Sequence, residues 1–325
     1  MKSKAVRIAA HGAADVLKLE TVDVADPGPN EVLIRHTAIG LNYQDIYQRS
    51  GFYQLTMPAG LGTEGAGVAE KVGANVKDIK AGDRVCYAGG APGSYAEYRL
   101  FPADRVIKTP ANVTDEQAAA TLLKGMTAEY LLNRCYPVHA GEFVLFHAAA
   151  GGVGLVAGQW GKHLGAKMIG IAGGAEKCKL ALANGYAYCI DRNSEDVVAK
   201  VKEITGGKGV PVVYDSVGKN SFDQSLHALA PRGYFVSFGT TTGAPPPVEA
   251  GALQKLGSLY FTRPTLVTYT ASTEDLRASA KALFDLIGEG AIKVSINQKY
   301  ALGDIVKAHQ DLESGRTSGS TIIVP

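Results

Sequence analysis

The 325-residue chain has 33 Lys and Arg against 31 Asp and Glu, which gives a formal net charge of +2 at pH 7. This balance argues against an electrostatic nucleic-acid surface. The length favours two domains, and 46% hydrophobic residues can fill their cores. Residues 1–17 contain no apolar run of signal-peptide length, so we expect a cytoplasmic protein.

Residues 1 to about 124 have the texture of short strands joined by loops. Residues 31–35 alternate between apolar and polar, residues 65–72 form a strand interrupted by glycine, and residues 81–85 follow a turn. A capping residue near Asp115 opens a helix that runs through residues 117–122. This part of the chain therefore predicts a β-rich, barrel-like domain.

From Glu142 onward strands alternate with helices. The predicted strands are residues 143–147, 167–172, 187–190, 210–215, 233–238 and 258–261, and the helices lie near 153–164, 176–184, 195–205 and 221–230. Such alternation is typical of an α/β fold with a doubly wound parallel sheet. A helix from Thr273 to about Gly288 and a short strand-helix-strand tail complete the chain.

A glycine-rich turn joins the first of these strands to its helix. In the run Ala149-Ala150-Gly151-Gly152-Val153-Gly154, three small residues take the positions of G-x-G-x-x-G, with Ala149 in place of the first glycine. That spacing allows a tight turn, close approach of a pyrophosphate and close helix packing. The turn predicts a bound dinucleotide, and a glycine-rich packing turn is the alternative.

The end of the second strand indicates which dinucleotide binds. NAD-binding sheets usually carry an acid there, but residues 170–175 contain none. Lys177 and Arg192 could instead receive a 2′-phosphate, which favours NADPH. In the alternative reading, Lys177 is a solvated helix lysine and Arg192 a loop charge, and Glu176 argues mildly for NADH unless it only favours the helix dipole.

The four cysteines, Cys86, Cys135, Cys178 and Cys189, form no C-x-x-C pair and no cluster with histidine at metal-ligand spacing. We therefore expect reduced thiols and no metal site.

Nearly the whole chain resembles the zeta-crystallin-type NADPH:quinone oxidoreductases of the medium-chain dehydrogenase/reductase superfamily. The matching segments are residues 40–53, 60–67, 123–130, 149–154, 214–218 and 257–264. The resemblance implies a Rossmann dinucleotide-binding domain at 125–266 and a β-rich GroES-like catalytic domain at 1–124 and 267–325.

The resemblance also implies that no zinc is bound. Zinc-dependent relatives carry a cysteine in the segment of Asn42, His-Glu where this chain has Thr63-Glu64, and a further cysteine near Leu123. Of their four-cysteine structural lobe, only Cys86 has a counterpart here. Without zinc, the chemistry left is hydride transfer to an acceptor that is already electrophilic, such as a quinone or an enone.

The family's substrate motif maps onto Asn42, Tyr47 and Tyr53, whose amide and phenol groups would stabilise the reduced acceptor. Arg263 is a further catalytic candidate, and Asp45 could orient Asn42 or a tyrosine. In the alternative reading, Asn42 caps a turn and the two tyrosines pack with exposed polar tips.

The resemblance further implies a set of cofactor contacts that begins in the glycine turn and ends near the C-terminus. These are Thr127, Tyr130, Gly151, Gly152, Val153, Gly154, Gly173, Gly174, Lys177, Arg192, Val217, Phe238, Gly239, Thr240, Arg263, Pro264, Arg316 and Thr317. Some relatives have a tyrosine where Arg192 stands, and a guanidinium could bind the 2′-phosphate with two hydrogen bonds.

We therefore expect a cytoplasmic, zinc-independent NADPH:quinone oxidoreductase that forms a homodimer through the sheet edge near residues 258–261. One alternative is an NADPH-dependent enone or alkenal reductase. Another is a non-catalytic NADPH-binding protein of the crystallin-like or RNA-binding kind, against which the near-neutral charge weighs.

Overall fold

The computed structural model describes residues Met1–Pro325 as two compact units. The β-rich unit comprises Met1–Met126, Thr270–Glu289 and Val294–Pro325, and the parallel-sheet unit comprises Thr127–Tyr269 and Gly290–Lys293. These limits differ by a few residues from the expected ones. The segment Gly290–Lys293 joins the parallel-sheet unit because the Gln159 side chain bonds both the N–H and the carbonyl of Lys293, at 2.8 and 3.2 Å.

The β-rich unit contains ten strands. They are β1 Lys2–Ile8, β2 Lys18–Asp23, β3 Glu31–Leu41, β4 Ala59–Gly60, β5 Glu64–Val72, β6 Arg84–Ala88, β7 Tyr98–Pro102, β8 Ile107–Lys108, β15 Ile296–Ala301 and β16 Ser320–Val324. A three-stranded sheet has the order β2-β1-β4. A seven-stranded sheet has the order β15-β16-β3-β5-β6-β8, with β7 also paired to β3.

The long strand β3 organises this unit because its two halves belong to different cores. Val32 and Ile34 pack with Val85 and neighbouring residues in one cluster. Ile39 packs with Leu61 and others in a second cluster. The strand predicted at residues 31–35 therefore continues to Leu41. Its residues 38–41 are all buried and no longer alternate.

Four helices belong wholly or largely to the β-rich unit: α1 Tyr43–Ser50, α2 Asp115–Glu129, α9 Thr273–Gly288 and α10 Ile305–Glu313. Helix α2 continues into a π-helical turn, Tyr130–Cys135. Helix α1 had not been predicted. Its start is a capping box between Asn42 and Asp45, and its end is Gly51 at φ +87°, so both signals were present in the sequence.

The parallel-sheet unit confirms the doubly wound prediction. Its strands are β9 Phe143–His147, β10 Lys167–Ala172, β11 Tyr188–Asp191, β12 Val210–Asp215, β13 Leu229–Ser237 and β14 Tyr260–Thr262, and its helices are α3 Gly152–His163, α4 Ala175–Ala183, α5 Val197–Ile204, α6 Phe222–His227, α7 Ala250–Lys255 and α8 Leu266–Tyr269. The strand order is β11-β10-β9-β12-β13-β14, with every neighbouring pair parallel.

Helix α6 is shorter than the predicted 221–230 because β13 begins early. Leu229 already pairs with Val210, and the register then shifts before Tyr234 pairs with Val212. Both faces of the sheet are covered, so Leu145, Ile169 and other central strand residues are fully buried. No helix is both long and apolar enough to cross a membrane.

Candidate functional site

The glycine turn of the parallel-sheet unit leaves the start of α3 open to a ligand. Gly151 is the N-cap residue, and no side chain caps the helix. The first intrahelical bond runs from Leu155 N–H to the Gly151 carbonyl at 2.9 Å. The N–H groups of Gly152, Val153 and Gly154 therefore have no partner within the helix and can bind an anion.

Gly154 brings α3 against the turn. A Cβ at this position would lie 2.4 Å from the Ala148 carbonyl oxygen and 2.6 Å from the Ala149 oxygen, so only glycine permits the observed packing. Together with the open helix start, this arrangement fits the pyrophosphate of a dinucleotide.

Two cations lie at the end of β10, next to this turn along the sheet. The Arg192 Nε atom is 3.1 Å from where a Cβ of Gly173 would be, so the guanidinium covers that glycine. Partial burial and then the Arg192 charge lower the pKa of Lys177. A nearby positive charge of this kind is what a 2′-phosphate would neutralise, and it fits NADPH better than NADH.

Sequence reasoning missed an acid that approaches the same strand end. Asp191, the last residue of β11, accepts the N–H of Gly174 at 2.7 Å and that of Asn193 at 3.0 Å through Oδ1. Both bonds lower the pKa of Asp191, and the bond from Gly174 has the larger effect. The sequence signal was the acid that ends the third strand, whereas the usual acid of an NAD-binding sheet ends the second.

A second group of predicted cofactor residues lies where β12, β13 and β14 end. Asp215 is fully buried, and its Oδ1 accepts the N–H of Val217 at 2.7 Å, while its carbonyl accepts the N–H of Phe238 at 2.8 Å. Arg263 donates from Nη1 to the Ser237 carbonyl at 2.9 Å and to the Gly239 carbonyl at 3.0 Å. These bonds bring the predicted Val217, Phe238, Gly239 and Arg263 together, with Thr240 and Pro264 adjacent in the chain.

The remaining predicted cofactor residues have other surroundings. Thr127 lies within α2 and is buried. Tyr130 is 2% exposed and stacks on Tyr269 at 4.6 Å between ring centroids. Arg316 pairs with Asp311 in the β-rich unit, its Nε to Oδ1 distance being 3.0 Å, and with Thr317 it lines a cavity of about 680 Å³.

In the β-rich unit, the predicted Asn42 belongs to a buried charged cluster that sequence reasoning missed. The Asn42 Nδ2 donates to Glu64 Oε2 at 2.8 Å, and the Lys124 ammonium donates to the same oxygen at 3.0 Å. The N–H of Leu123 donates to Oε1 at 2.7 Å. Glu64 is 0% and Lys124 5% exposed. The sequence signal for this cluster was the presence of opposite charges, Glu64 and Lys124, inside otherwise apolar segments.

Asp45 holds the backbone beside this cluster. Its Oδ2 accepts the N–H of Asn42 at 2.9 Å and the hydroxyl of Tyr95 at 2.7 Å, so the tyrosine that contacts Asp45 is neither Tyr47 nor Tyr53. Burial raises the pKa of Asp45 to about 7, although both hydrogen bonds act to lower it.

This raised pKa predicts a pH dependence of stability. Between about pH 4 and pH 7 the folded chain keeps a proton on Asp45 that the unfolded chain loses, so the free energy of unfolding should fall as pH rises through that window. The slope from this residue is at most about 1.4 kcal/mol per pH unit. Urea unfolding of the wild type and of Asp45→Asn across the window should show a flatter profile for the variant. Parallel profiles would contradict the assignment.

Tyr47 and Tyr53 form an aromatic cluster with Tyr43 and Phe52. The Tyr47 ring centroid lies 5.2 Å from that of Tyr43 and 5.3 Å from those of Phe52 and Tyr53. Phe52 is 47% and Tyr53 40% exposed. The cluster therefore offers an accessible aromatic surface on which a flat ring could pack.

All four cysteines are free thiols, as expected. No group of three or more His, Cys, Asp or Glu side chains is arranged to hold a metal ion.

Comparison with known proteins agrees with this geometry. The model described as alcohol dehydrogenase GroES-like domain matches residues 28–111, and the model described as zinc-binding dehydrogenase matches residues 152–289. The quinone oxidoreductase of Pseudomonas aeruginosa is 47% identical over 324 residues, which cover 99% of this chain and 100% of that protein. The 2-haloacrylate reductase of a Burkholderia species is 39% identical over 321 residues, 97% of this chain and 96% of that protein.

The crystal structure of Escherichia coli quinone oxidoreductase complexed with NADPH matches with a TM-score of 0.97 at 48% identity, and covers 99% of this chain and 100% of that one. A GroES-like unit and a Rossmann-type parallel sheet together define a medium-chain dehydrogenase/reductase. Within that class, the chain belongs to the quinone oxidoreductase family, which confirms the resemblance found in the sequence.

Proposed function

We propose that this protein catalyses the NADPH-dependent reduction of quinones without zinc, in the cytoplasm. The observation that carries the proposal is the pair of cations, Lys177 and Arg192, beside an open dinucleotide turn in a chain of this family. Steady-state rates with a series of benzoquinones and naphthoquinones test it. Failure to oxidise NADPH with any quinone of the series would overturn it.

NADPH, when bound, supplies the hydride. The chain's own residues have two tasks. The first turn of α3 binds the pyrophosphate, and Lys177 with Arg192 binds the 2′-phosphate. In the β-rich unit, the Lys124 ammonium keeps N–H donors beyond the one that it gives to Glu64, and the Asn42 amide likewise has a second N–H. These donors can stabilise the negative charge that develops on the acceptor oxygen.

The cation pair predicts a strong preference for NADPH over NADH. Lys177→Ala or Arg192→Ala should raise the Kd for NADPH about tenfold or more, because each removes a charge-assisted contact of about 1.5–3 kcal/mol. The Kd for NADH should change little. Fluorescence titration with both nucleotides measures the effect, and Lys179→Ala, an exposed lysine on the same helix, is the matched control. An unchanged preference in both variants would refute the assignment.

The ligand positions predict that metal removal has no effect. Dialysis against a chelator should leave kcat with a quinone unchanged, because Asn42, Thr63 and Leu123 cannot hold zinc as cysteine and histidine do. Elemental analysis of the purified protein should find no stoichiometric zinc, and a loss of activity that added zinc restores would contradict the prediction.

Reduction of an enone or a related activated alkene is a second candidate function. The Burkholderia relative named 2-haloacrylate reductase supports it, since haloacrylate is an alkene conjugated to a carboxylate. Such an acceptor needs the same hydride and a similar oxyanion stabilisation. Comparing kcat/KM for quinones and for α,β-unsaturated carbonyl compounds separates the two functions. The series of compounds with the higher kcat/KM identifies the acceptor class.

We also propose a homodimer joined at strand β14. This strand is the edge of the parallel sheet, with only β13 as its neighbour. An open edge offers backbone groups for a second copy, and Tyr260, the first residue of β14, is 52% exposed and stacks on Tyr234 at 4.5 Å between ring centroids. Sedimentation equilibrium should give twice the mass of the chain, and a monomer would end the proposal.

A further inference from the structure

Two of the cysteines lie together in the parallel-sheet unit. Cys178 is on α4 and Cys189 is on β11, two elements that pack directly against each other, and the two thiols interact. Both residues are only partly buried. We propose that Cys178 and Cys189 form a site of oxidation by peroxide, and that the resulting disulfide weakens NADPH binding.

The surrounding fold keeps the thiols in place. The N–H of Cys178 bonds the Gly174 carbonyl at 3.1 Å, which places this residue in the first turn of α4. Cys189 pairs in register with Gly170 of β10, so its backbone is held by the sheet. A disulfide needs a sulfur–sulfur distance of about 2.05 Å, and two side chains carried by elements that pack against each other can reach it.

The two sulfurs have different roles in the reaction. One of the two thiols attacks first: its sulfur breaks the oxygen–oxygen bond of hydrogen peroxide and becomes a sulfenic acid, and one water leaves. The sulfur of the other cysteine then displaces the hydroxyl as a second water. Two thiols lose two electrons and two protons, and one peroxide is reduced to two waters.

The position of the pair links this oxidation to the cofactor. Lys177 immediately precedes Cys178, and Arg192 follows the strand that carries Cys189. The spacing of α4 and β11 thus sets the distance between the two cations, and a covalent bridge shortens that spacing. This step rests on the proposed function, in which both cations bind the 2′-phosphate.

Intact mass and peptide mapping test the oxidation without any cofactor. The reduced protein is treated with hydrogen peroxide, free thiols are alkylated, and trypsin then cleaves after Lys177, Lys179 and Arg192. We expect the intact chain to lose two hydrogen atoms and the dipeptide Cys178-Lys179 to remain joined to peptide 180–192. Cys178→Ser and Cys189→Ser should each abolish the joined peptide, and Cys135→Ser should retain it.

Fluorescence titration with NADPH tests the consequence. The oxidised protein should bind NADPH about tenfold more weakly than the reduced protein, which corresponds to about 1.4 kcal/mol, and a reducing agent should restore the affinity. Cys178→Ser should bind NADPH equally well before and after peroxide.

The possible failures are distinguishable. Separate peptides after peroxide treatment would overturn the oxidation site. A joined peptide with unchanged NADPH affinity would overturn its effect on the cofactor. A reduced protein that binds no NADPH would overturn the proposed function itself, and the joined peptide would still decide the oxidation site.

Discussion

Lys124→Met should lower the free energy of unfolding by about 3–5 kcal/mol, because it leaves the Glu64 carboxylate buried without its counter-ion. Glu64 is fully buried and would keep only the neutral donors of Asn42 and Leu123. Urea unfolding measures the change. The double variant Glu64→Gln with Lys124→Met should recover much of the loss, since it removes both charges together.

Matched controls separate the buried pair from an ordinary ion pair. Lys299 pairs with Glu116 at 2.6 Å, but half of its side chain is exposed, so Lys299→Met should cost less than about 1 kcal/mol. Equal losses in Lys124→Met and Lys299→Met would show that burial does not decide the effect.

Lys124→Met should also slow the reduction of the acceptor. If the Lys124 ammonium stabilises the reduced acceptor, Lys124→Met should lower kcat by about 10²-fold, and the Kd for NADPH should stay within about twofold. Lys124→Arg, which keeps a positive charge, should recover part of kcat. A variant that is less stable but has unchanged kcat would assign Lys124 a structural role only.

Gly154→Ala should have the second large effect, on cofactor binding. Its Cβ would come within 2.6 Å of two backbone oxygens of the turn, which cannot move aside as a flexible side chain would. Helix α3 must shift away from β9, and its first N–H groups move with it. We expect the Kd for NADPH to rise at least tenfold and the free energy of unfolding to fall by about 1–3 kcal/mol.

Gly251→Ala is the control for this prediction. Gly251 also lies in a helix of the parallel-sheet unit, and a Cβ there would meet nothing within 4 Å. That variant should bind NADPH as the wild type does and be at least as stable, since alanine favours helix. Equal losses of NADPH affinity in the two variants would contradict the role of close packing at Gly154.

The parallel sheet was predictable almost strand by strand. Three of its strands, including β9 and β12, begin and end at the predicted residues, because a run of apolar residues bounded by turns is a local pattern. The predicted end of α6 and the predicted start of β13 were wrong. Both depend on the pairing of Leu229 with Val210, which local periodicity does not show.

The candidate site was only partly predictable. Asn42 was identified from the family motif, but its partners Glu64 and Lys124 were not, because they lie far apart in the sequence and meet only in the folded unit. Asp191 was missed for the same reason, since it reaches Gly174 from a neighbouring strand. The sequence gives no sign that Cys178 and Cys189 interact, because only the packing of α4 against β11 brings them near each other.

The family, the alternation of strands and helices and the glycine turn follow from the sequence alone, because each is encoded in residues that are close along the chain. Packing within the β-rich unit determines which polar groups share a partner, since Lys124 and Asn42 both donate to Glu64. Electrostatic interactions and burial depend on distances in space. These distances are set when sheets and helices pack, and no spacing in the sequence specifies them.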